Sequence, residues 1–330
     1  MNKIIIRLIA IFAIMSGQSI YAQDFAPVGT AVAQFLEIGV GARGTGMGEA
    51  FTSLTNDAGS AFWNPAGLVG AQKRNLYTSY TVWPADISIG SFAFAIDMGN
   101  IGTFAISSAY LMTGDMDVTT VFQPEGTGES FSISNFSLGL SYARFLTDRL
   151  SIGLTTKMVR EKYMDYGYTT WALDMGTIYR TGFHGLNLGM SILHFGPEIK
   201  FSGDYIDYSD PKSVDVNTPK TFETYSLPIN FRIGLSMNLL ETQNNKLITS
   251  AEMIHPNNNL EQYNWGIEYC FNNMFFLRGG YRFNIDEGGL ALGTGVDLNI
   301  LGASDVTIDY SFADLGILKS VHRFSLALSF

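Results

Sequence analysis

Residues 322–330 read HRFSLALSF and show most clearly which fold the chain adopts. One face of the stretch is apolar and carries Phe324, Leu326, Leu328 and Phe330. The alternate positions hold Arg, Ser and Ala, which gives the two-residue period of a β-strand with two different faces. Residues 306–313 and 263–271 alternate in the same way. The sequence therefore predicts a chain built largely from two-faced strands.

The composition indicates which face of these strands meets water. The chain of 330 residues is 46% hydrophobic but only 15% charged, whereas soluble domains carry about 25% charged residues. A soluble sandwich would turn its apolar faces inward, and its outer faces would then need many charges. The second face here is rich in Gly, Ser, Ala and Asn instead. This pattern favours an outer-membrane barrel, which turns its apolar face toward lipid.

The alternation predicts an all-β, 14-stranded antiparallel transmembrane β-barrel. The strands are expected at 74–83, 87–97, 102–114, 135–146, 150–163, 169–182, 186–196, 226–240, 246–255, 261–272, 274–284, 289–299, 305–314 and 322–330. The two long connections, about 115–134 and 197–225, fall on the same predicted side and are acidic, as expected for outer loops. The alternation slips near Gly90, where we expect a β-bulge. The final Phe330 resembles the aromatic ending of bacterial outer-membrane barrels.

The first 22 residues predict export from the cytoplasm. Lys3 and Arg7 precede an apolar run, Leu8 to Met15, and small residues follow up to Ala22. This is the pattern of a secretory signal peptide, and we expect cleavage after Ala22. We therefore divide the chain into a signal peptide (1–22), an N-terminal segment (23–72) and a barrel (73–330), located in the outer membrane of a Gram-negative bacterium.

Several function classes are disfavoured. A net charge of −10 argues against nucleic-acid binding. The histidines are scattered and no metal-ligand spacing occurs, so we expect no enzyme, no metal and no cofactor. Strand parity points a near-balanced set of charges into the lumen, for which internal pairing, pairing with a plug and simple solvation remain alternatives. This set comprises Lys157, Asp174, Arg180, Arg232, Glu252, Glu268, Arg278, Arg282, Asp297, Asp309 and Arg323.

The segment before the first strand does not alternate. Residues 35–68 read FLEIGVGARGTGMGEAFTSLTNDAGSAFWNPAGL, with a helix-like stretch near 49–54. The glycines of residues 44–48 invite comparison with a nucleotide-binding loop. That motif needs a strand–turn–helix context, which is missing from this sequence, so we reject this interpretation.

Three motifs carry a family resemblance: residues 42–48, residues 56–58 and Trp63-Asn64-Pro65-Ala66-Gly67. They resemble the N-terminal hatch of the FadL-type outer-membrane proteins and, within that superfamily, the PorV/PorQ family. Residues 266–269, 277–282 and 322–326 are similar to late strands of the same family. The resemblance implies a fourteen-stranded barrel whose N-terminal segment lies inside as a plug. The implied plug residues are Arg43, Gly44, Gly46, Gly48, Glu49, Asp57, Trp63, Asn64, Pro65 and Ala66.

The resemblance also implies a function. Members of this family take part in type IX secretion, where PorV-like members accept cargo through its C-terminal domain at the cell surface. We therefore expect an interaction protein whose partners are outer-membrane lipid, secretion components and cargo C-terminal domains. The alternative is FadL-like passive uptake of a hydrophobic small molecule, for which the slip near Gly90 would be the lateral opening. A candidate partner surface, with a packed lid as the alternative, comprises Tyr205, Tyr208, Asp210, Phe222 and Tyr225.

Overall fold

A computed structural model of the chain describes residues 26–120, 122–205, 219–300 and 304–330. The predicted signal peptide lies outside the described residues, so its cleavage after Ala22 stays a prediction. Tyr208 and Asp210 of the candidate partner surface also lie outside them.

Within the described residues, fourteen antiparallel strands form a closed barrel. Each strand pairs with the next, and the first pairs with the last through Asn75–Val82 and His322–Ser329. The strands are β1 (Arg74–Trp83), β2 (Ile87–Asp97), β3 (Thr103–Met112), β4 (Ile133–Phe145), β5 (Leu150–Tyr163), β6 (Tyr166–Arg180), β7 (Asn187–Phe195), β8 (Asn230–Glu241), β9 (Asn245–Pro256), β10 (Gln262–Phe271), β11 (Phe275–Phe283), β12 (Leu290–Ile300), β13 (Ser304–Asp314) and β14 (Ser320–Ser329). The predicted fourteen-stranded antiparallel barrel is confirmed.

The two faces of the wall differ as the alternation predicts. Large apolar side chains such as Leu140, Trp171 and Leu277 are exposed on the outer face. The buried positions between them are Ser, Thr, Ala, Asn and charged residues. A closed barrel with an apolar outside and a polar inside satisfies its backbone internally and suits a bilayer.

The connections distinguish the two ends of the barrel. At one end, turns of three to six residues join β2 to β3, β4 to β5, β6 to β7, β8 to β9 and β10 to β11. The opposite end, here called the long-loop end, carries the long connections 113–132 and 196–229. Short hairpins extend from both connections, for example Met116–Asp117 with Ser130–Phe131. Because the long loops of outer-membrane barrels face outward, we expect the long-loop end to lie at the cell surface.

The expected bulge near Gly90 is wrong. The β1–β2 and β2–β3 ladders run through Gly90 without a register shift. Gly90 interrupts the apolar pattern because the ring of Tyr110 lies over it, where a Cβ would overlap the ring. The ladders shift register elsewhere, between Leu173 and Met175 on β6 and between Asn238 and Leu240 on β8.

The described part of the N-terminal segment, residues 26–72, contains short turns rather than strands. It comprises a one-turn helix α1 (Ala42–Gly46) and 3₁₀ turns at Gln34–Glu37, Ala58–Phe62 and Pro65–Gly70. The helix-like stretch expected near 49–54 is wrong, because Glu49 adopts a left-handed backbone with φ of 65°. In the described residues, no helix is long and apolar enough to span a membrane.

The hydrophobic core lies between this segment and the barrel wall. Ala58, Ala61 and Leu68 of the segment pack on small wall residues, including Ala93 and Ala143. A second cluster joins Phe35 to Val159, Tyr168 and Leu227. Small wall side chains therefore allow the segment to approach the strands closely.

Candidate functional site

The N-terminal segment contacts the wall all around the barrel. Helix α1 contacts β11 to β14, the turn at Ala58–Phe62 contacts β1 to β3, and the turn at Pro65–Gly70 contacts β3 to β6. The remaining strands are contacted through Thr52 and nearby residues, as described below. The candidate site is therefore the interface between the segment and the inner face of the wall.

Arg43 forms the ionic centre of this interface. Its Nε and one terminal nitrogen donate to the two carboxylate oxygens of Glu268 on β10, each at 2.9 Å. Its other terminal nitrogen donates to Asn56 at 3.0 Å, and its guanidinium lies 5.4 Å from the ring centre of Phe51. Burial alone would lower the pKa of Arg43, but the Glu268 carboxylate raises it above its ordinary value.

The Arg43–Glu268 ion pair is part of a larger network that continues along the barrel wall. Arg278 on β11 donates to Glu268 and, through another nitrogen, to Asp309 on β13, each at 2.6 Å. Glu268 thus receives two guanidinium groups, which compensates its burial. Glu268, Arg278 and Asp309 belong to the predicted lumen charge set and are paired with one another and with Arg43.

Two further wall carboxylates hold the backbone of the segment. Glu252 on β9 accepts from the N–H groups of Phe51 and Thr52, both at 2.8 Å, and is paired with Arg232 at 3.3 Å. Glu161 on β5 accepts from the N–H of Ala33 at 3.0 Å. The alternation predicts that Glu252 faces the lumen. Glu161 shares the face of Lys157 on β5 and so faces the lumen as well, but the predicted lumen set omits it.

A belt of inward-facing wall glycines lets the segment approach. A Cβ added at these positions would collide with or crowd residues of the segment: Gly153 with Pro65 and Ala66, Gly176 with Asn64, Gly189 and Gly234 with Ser53, Gly266 and Gly280 with Met47, and Gly293 with Gly46. Glycine inside a strand is used where another backbone comes close. We call these seven residues the glycine belt; they were not among the residues predicted from the sequence.

The Trp63-Asn64-Pro65-Ala66 motif makes hydrogen bonds within the N-terminal segment and to β6. Trp63 donates its indole N–H to the carbonyl of Val40 at 2.9 Å. The side-chain amide of Asn64 donates to the carbonyls of Thr52 and Thr177 and accepts from the N–H of Ala66 at 3.1 Å. Asn64 is fully buried and begins the 3₁₀ turn whose first residue is Pro65. Asn64 and Pro65 thus fix the start of this turn.

The other predicted plug residues also lie in the interface. Gly44 faces the rings of Trp63 and Phe51, while Gly48 has φ of 62° and faces the backbone of β11. Glu49 lies 3.5 Å from Arg282 on β11. Asp57 precedes the 3₁₀ turn at Ala58, and burial raises its pKa, although the charge of Arg43 opposes this.

A buried polar cluster lies at the irregularity between β6 and β7. Lys157 donates to Asp174 at 2.8 Å and to Nδ1 of His194 at 2.6 Å, so His194 is a neutral acceptor there. The backbone N–H of His194 donates to Asp174 at 2.7 Å. Sequence reasoning missed this contact because the bulge turns His194, with φ of 65°, out of the regular alternation.

The candidate partner surface forms an aromatic cluster at the long-loop end. Phe222 contacts Tyr205, Tyr166 and Phe201, and Phe201 contacts Tyr225. Tyr205, Phe222 and Tyr225 remain partly exposed. The cluster therefore packs against Tyr166 at the start of β6 and also presents aromatic surface.

Two cavities flank the segment. A small internal one of about 40 Å³ lies between segment residues, including Phe35, Ile38 and Trp63, and the wall near His194. It has room for a few water molecules, whereas ligand pockets measure about 300–1,000 Å³. A larger cavity of about 610 Å³, here called the vestibule, opens at the long-loop end. In the described part of the chain, no group of three or more His, Cys, Asp or Glu residues could hold a metal ion.

Solved structures with the same architecture are FadL-type barrels. The CymD monoaromatic hydrocarbon channel has a TM-score of 0.58 at 12% identity, covering 89% of this chain and 98% of its own. A Pseudomonas aeruginosa FadL homologue (TM-score 0.56, 12% identity) covers 88% of this chain and 97% of its own. The Ralstonia pickettii toluene transporter TbuX (TM-score 0.56, 13% identity) has the same coverage. The protein thus has the fold of the FadL-type barrels.

The comparison with family models is more specific than the comparison of folds. The family model for type IX secretion system protein PorV matches residues 21–256. The chain belongs to this PorV family. A comparison with curated proteins finds no match.

Proposed function

We propose that this protein is a non-enzymatic component of type IX secretion that handles exported cargo at the cell surface. Its family supports the secretion role. The partly exposed aromatic cluster at the long-loop end supplies a surface of the kind that partner proteins bind, because aromatic residues are enriched in interfaces. The proposed partners are other secretion components and the C-terminal domains of cargo.

The observation that carries this proposal is the fit of the N-terminal segment to the wall. We propose that the segment is a fixed plug, held by Arg43, by Glu252 and by the glycine belt. Passage through the lumen would require the loss of buried ion pairs and close backbone packing. A protein whose lumen is filled in this way is better suited to work at its outer surface than to conduct.

The test is an affinity pull-down of the tagged full-length protein from gently solubilised outer membranes. We expect a large barrel partner or exported proteins that share one C-terminal domain. The variant Phe222→Ser should reduce their recovery, because it removes the centre of the aromatic cluster. The matched control is Phe183→Ser, an exposed phenylalanine at the opposite end of the barrel. Equal recovery with both variants would contradict the proposed surface.

A second candidate function is passive uptake of a hydrophobic small molecule. The apolar side chains of Phe35, Leu36 and Ile38 around the small cavity favour it, as does the irregular β6–β7 ladder beside them. The same pull-down separates the candidates through the extracted lipid fraction. A clean monomer that carries a stoichiometric hydrophobic molecule would overturn the secretion role and favour uptake.

A further inference from the structure

The vestibule at the long-loop end contains more charged groups than a passive opening requires. Its walls carry Arg232, Arg282, Arg323, Glu37 and Glu49. The ring of Trp83 lines the same cavity. Its volume of about 610 Å³ lies within the range of pockets that hold small organic ligands.

Most of these charges have protein partners. Arg232 pairs with Glu252, and Arg282 lies 3.5 Å from Glu49. The carboxylate of Glu37 accepts from the side-chain amides of Asn230 and Asn258, each at 3.0 Å. These groups are therefore already neutralised or hydrogen bonded.

Arg323 on β14 differs from the other charged residues. Its relative exposure is only 3%, and its Nε has no hydrogen-bond partner. Among the described residues, we find no carboxylate in ion-pair contact with its guanidinium. Its cross-strand neighbours, Thr81 and Ser311, are small, and its guanidinium lies 5.7 Å from the ring centre of Trp83.

A buried guanidinium without an anionic partner is unfavourable, because its lost hydration is not replaced. A carboxylate carries two oxygens that match the planar fork of an arginine. Arg323 and the flat ring of Trp83 both line the vestibule. Glu49 is the nearby acid, but it lies against Arg282.

We propose that the vestibule is a binding site for a carboxylate group, which Arg323 binds at the inner end while Trp83 contacts its apolar part. The carboxylate can belong to a free small organic acid or to an acidic side chain of a peptide at the cell surface. This inference does not rest on the proposed role in secretion.

The test measures binding to the full-length protein in detergent by ligand-observed NMR. The probes are benzoate and its neutral isostere benzamide, together with an end-blocked tripeptide whose central residue is Asp or Asn. We expect the carboxylate member of at least one pair to bind about tenfold or more tightly than its neutral counterpart. Preference for benzoate identifies a free acid as the source, and preference for the Asp peptide identifies a side chain.

The residue assignment is tested with Arg323→Gln, Arg323→Lys and the control Arg149→Gln, an exposed arginine in a turn at the opposite end. Arg323→Gln should lose the preference for carboxylates, Arg323→Lys should retain part of it, and the control should bind as the unmodified protein does. Equal binding of charged and neutral probes, or an unchanged preference in Arg323→Gln, would overturn the proposal. If Arg323→Gln does not fold, the Arg323→Lys variant and the neutral probes still decide it.

Discussion

At the scale of single residues, wall carboxylates position the N-terminal segment. Glu268, Glu252 and Glu161 each accept hydrogen bonds from it, on three different strands. A buried carboxylate with several donors is well satisfied, whereas one that loses its partners is strongly destabilising. The segment and the wall therefore depend on each other for stability.

The Arg43–Glu268 pair can be tested directly. Arg43→Met should lower the free energy of unfolding by about 2–3 kcal/mol, because Glu268 loses a bidentate partner but keeps Arg278. Urea unfolding followed by tryptophan fluorescence measures this change. Arg74→Met, at an exposed position, should change stability by less than about 0.5 kcal/mol. Equal effects of the two variants would show that the pair contributes nothing.

Glu37 makes stability depend on pH. Burial raises its pKa above the ordinary value of 4.5, so the folded protein keeps a proton that the unfolded chain loses. The contribution of Glu37 to stability therefore falls as the pH rises through the interval between these two pKa values. Glu37→Gln removes this loss of stability at high pH. The introduced amide can donate to an unpaired Oδ1 of Asn230 or Asn258.

The urea midpoints of Glu37→Gln and the unmodified protein should therefore diverge with pH. We expect the variant to gain stability relative to the unmodified protein on going from pH 4 to pH 8. Other groups titrate equally in both proteins and cancel in the difference. A difference that stays constant or shrinks over this range would contradict the assignment.

At the scale of elements, the glycine belt determines how closely the segment approaches the strands. Adjacent glycines on β11 supply a matched pair for a test. A Cβ at Gly280 would collide with the backbone of Met47 and Gly48, whereas the nearest contact of one at Gly279 is 3.9 Å away. Gly280→Ala should lower the free energy of unfolding by about 1–3 kcal/mol, and Gly279→Ala should be nearly neutral. Similar urea midpoints for both variants would exclude close packing at the belt.

The strands could be predicted because their information is local. A two-residue period in hydropathy is visible within any ten residues, and it fixed both faces of strands such as β14. The belt could not be predicted in this way, since glycine is neutral in an alternating pattern and the residues it packs against lie far away in the sequence. Gly90 misled the prediction for the same reason, because the Tyr110 ring that explains it belongs to another strand.

The candidate site was only partly predictable. Parity placed Glu268 and Arg278 on the inner face, but it could not show that Arg43 meets them. The family resemblance identified the Trp63-Asn64-Pro65-Ala66 motif without its hydrogen bonds. The contact between His194 and Asp174 depends on a bulge, and a bulge changes the face of one residue without altering the composition.

At the scale of the whole molecule, the two proposed functions differ in whether the N-terminal segment must move. Contacts with every part of the wall make any opening a concerted change rather than a local one. Cargo handling at the long-loop end needs no such change, whereas uptake through the lumen does.

A disulfide lock separates these alternatives. The hydroxyl oxygens of Thr45 on α1 and Ser311 on β13 are 2.8 Å apart, so cysteines at both positions can form a disulfide in the oxidising environment outside the cytoplasm. The background carries Cys270→Ala, because Cys270 is the single native cysteine. The control pair is Ser141→Cys with Thr155→Cys, on two neighbouring wall strands. The hydroxyl oxygens of Ser141 and Thr155 are 2.7 Å apart.

We expect the oxidised lock to leave the export of cargo within about twofold of the control, because a fixed plug, as proposed, does not move during export. Secretion is measured as cargo at the cell surface, with and without a reducing agent. A lock that stops secretion while the wall disulfide does not would show that the segment moves in the working cycle. The fixed plug would then be wrong, and the Arg43–Glu268 pair would be a latch that opens.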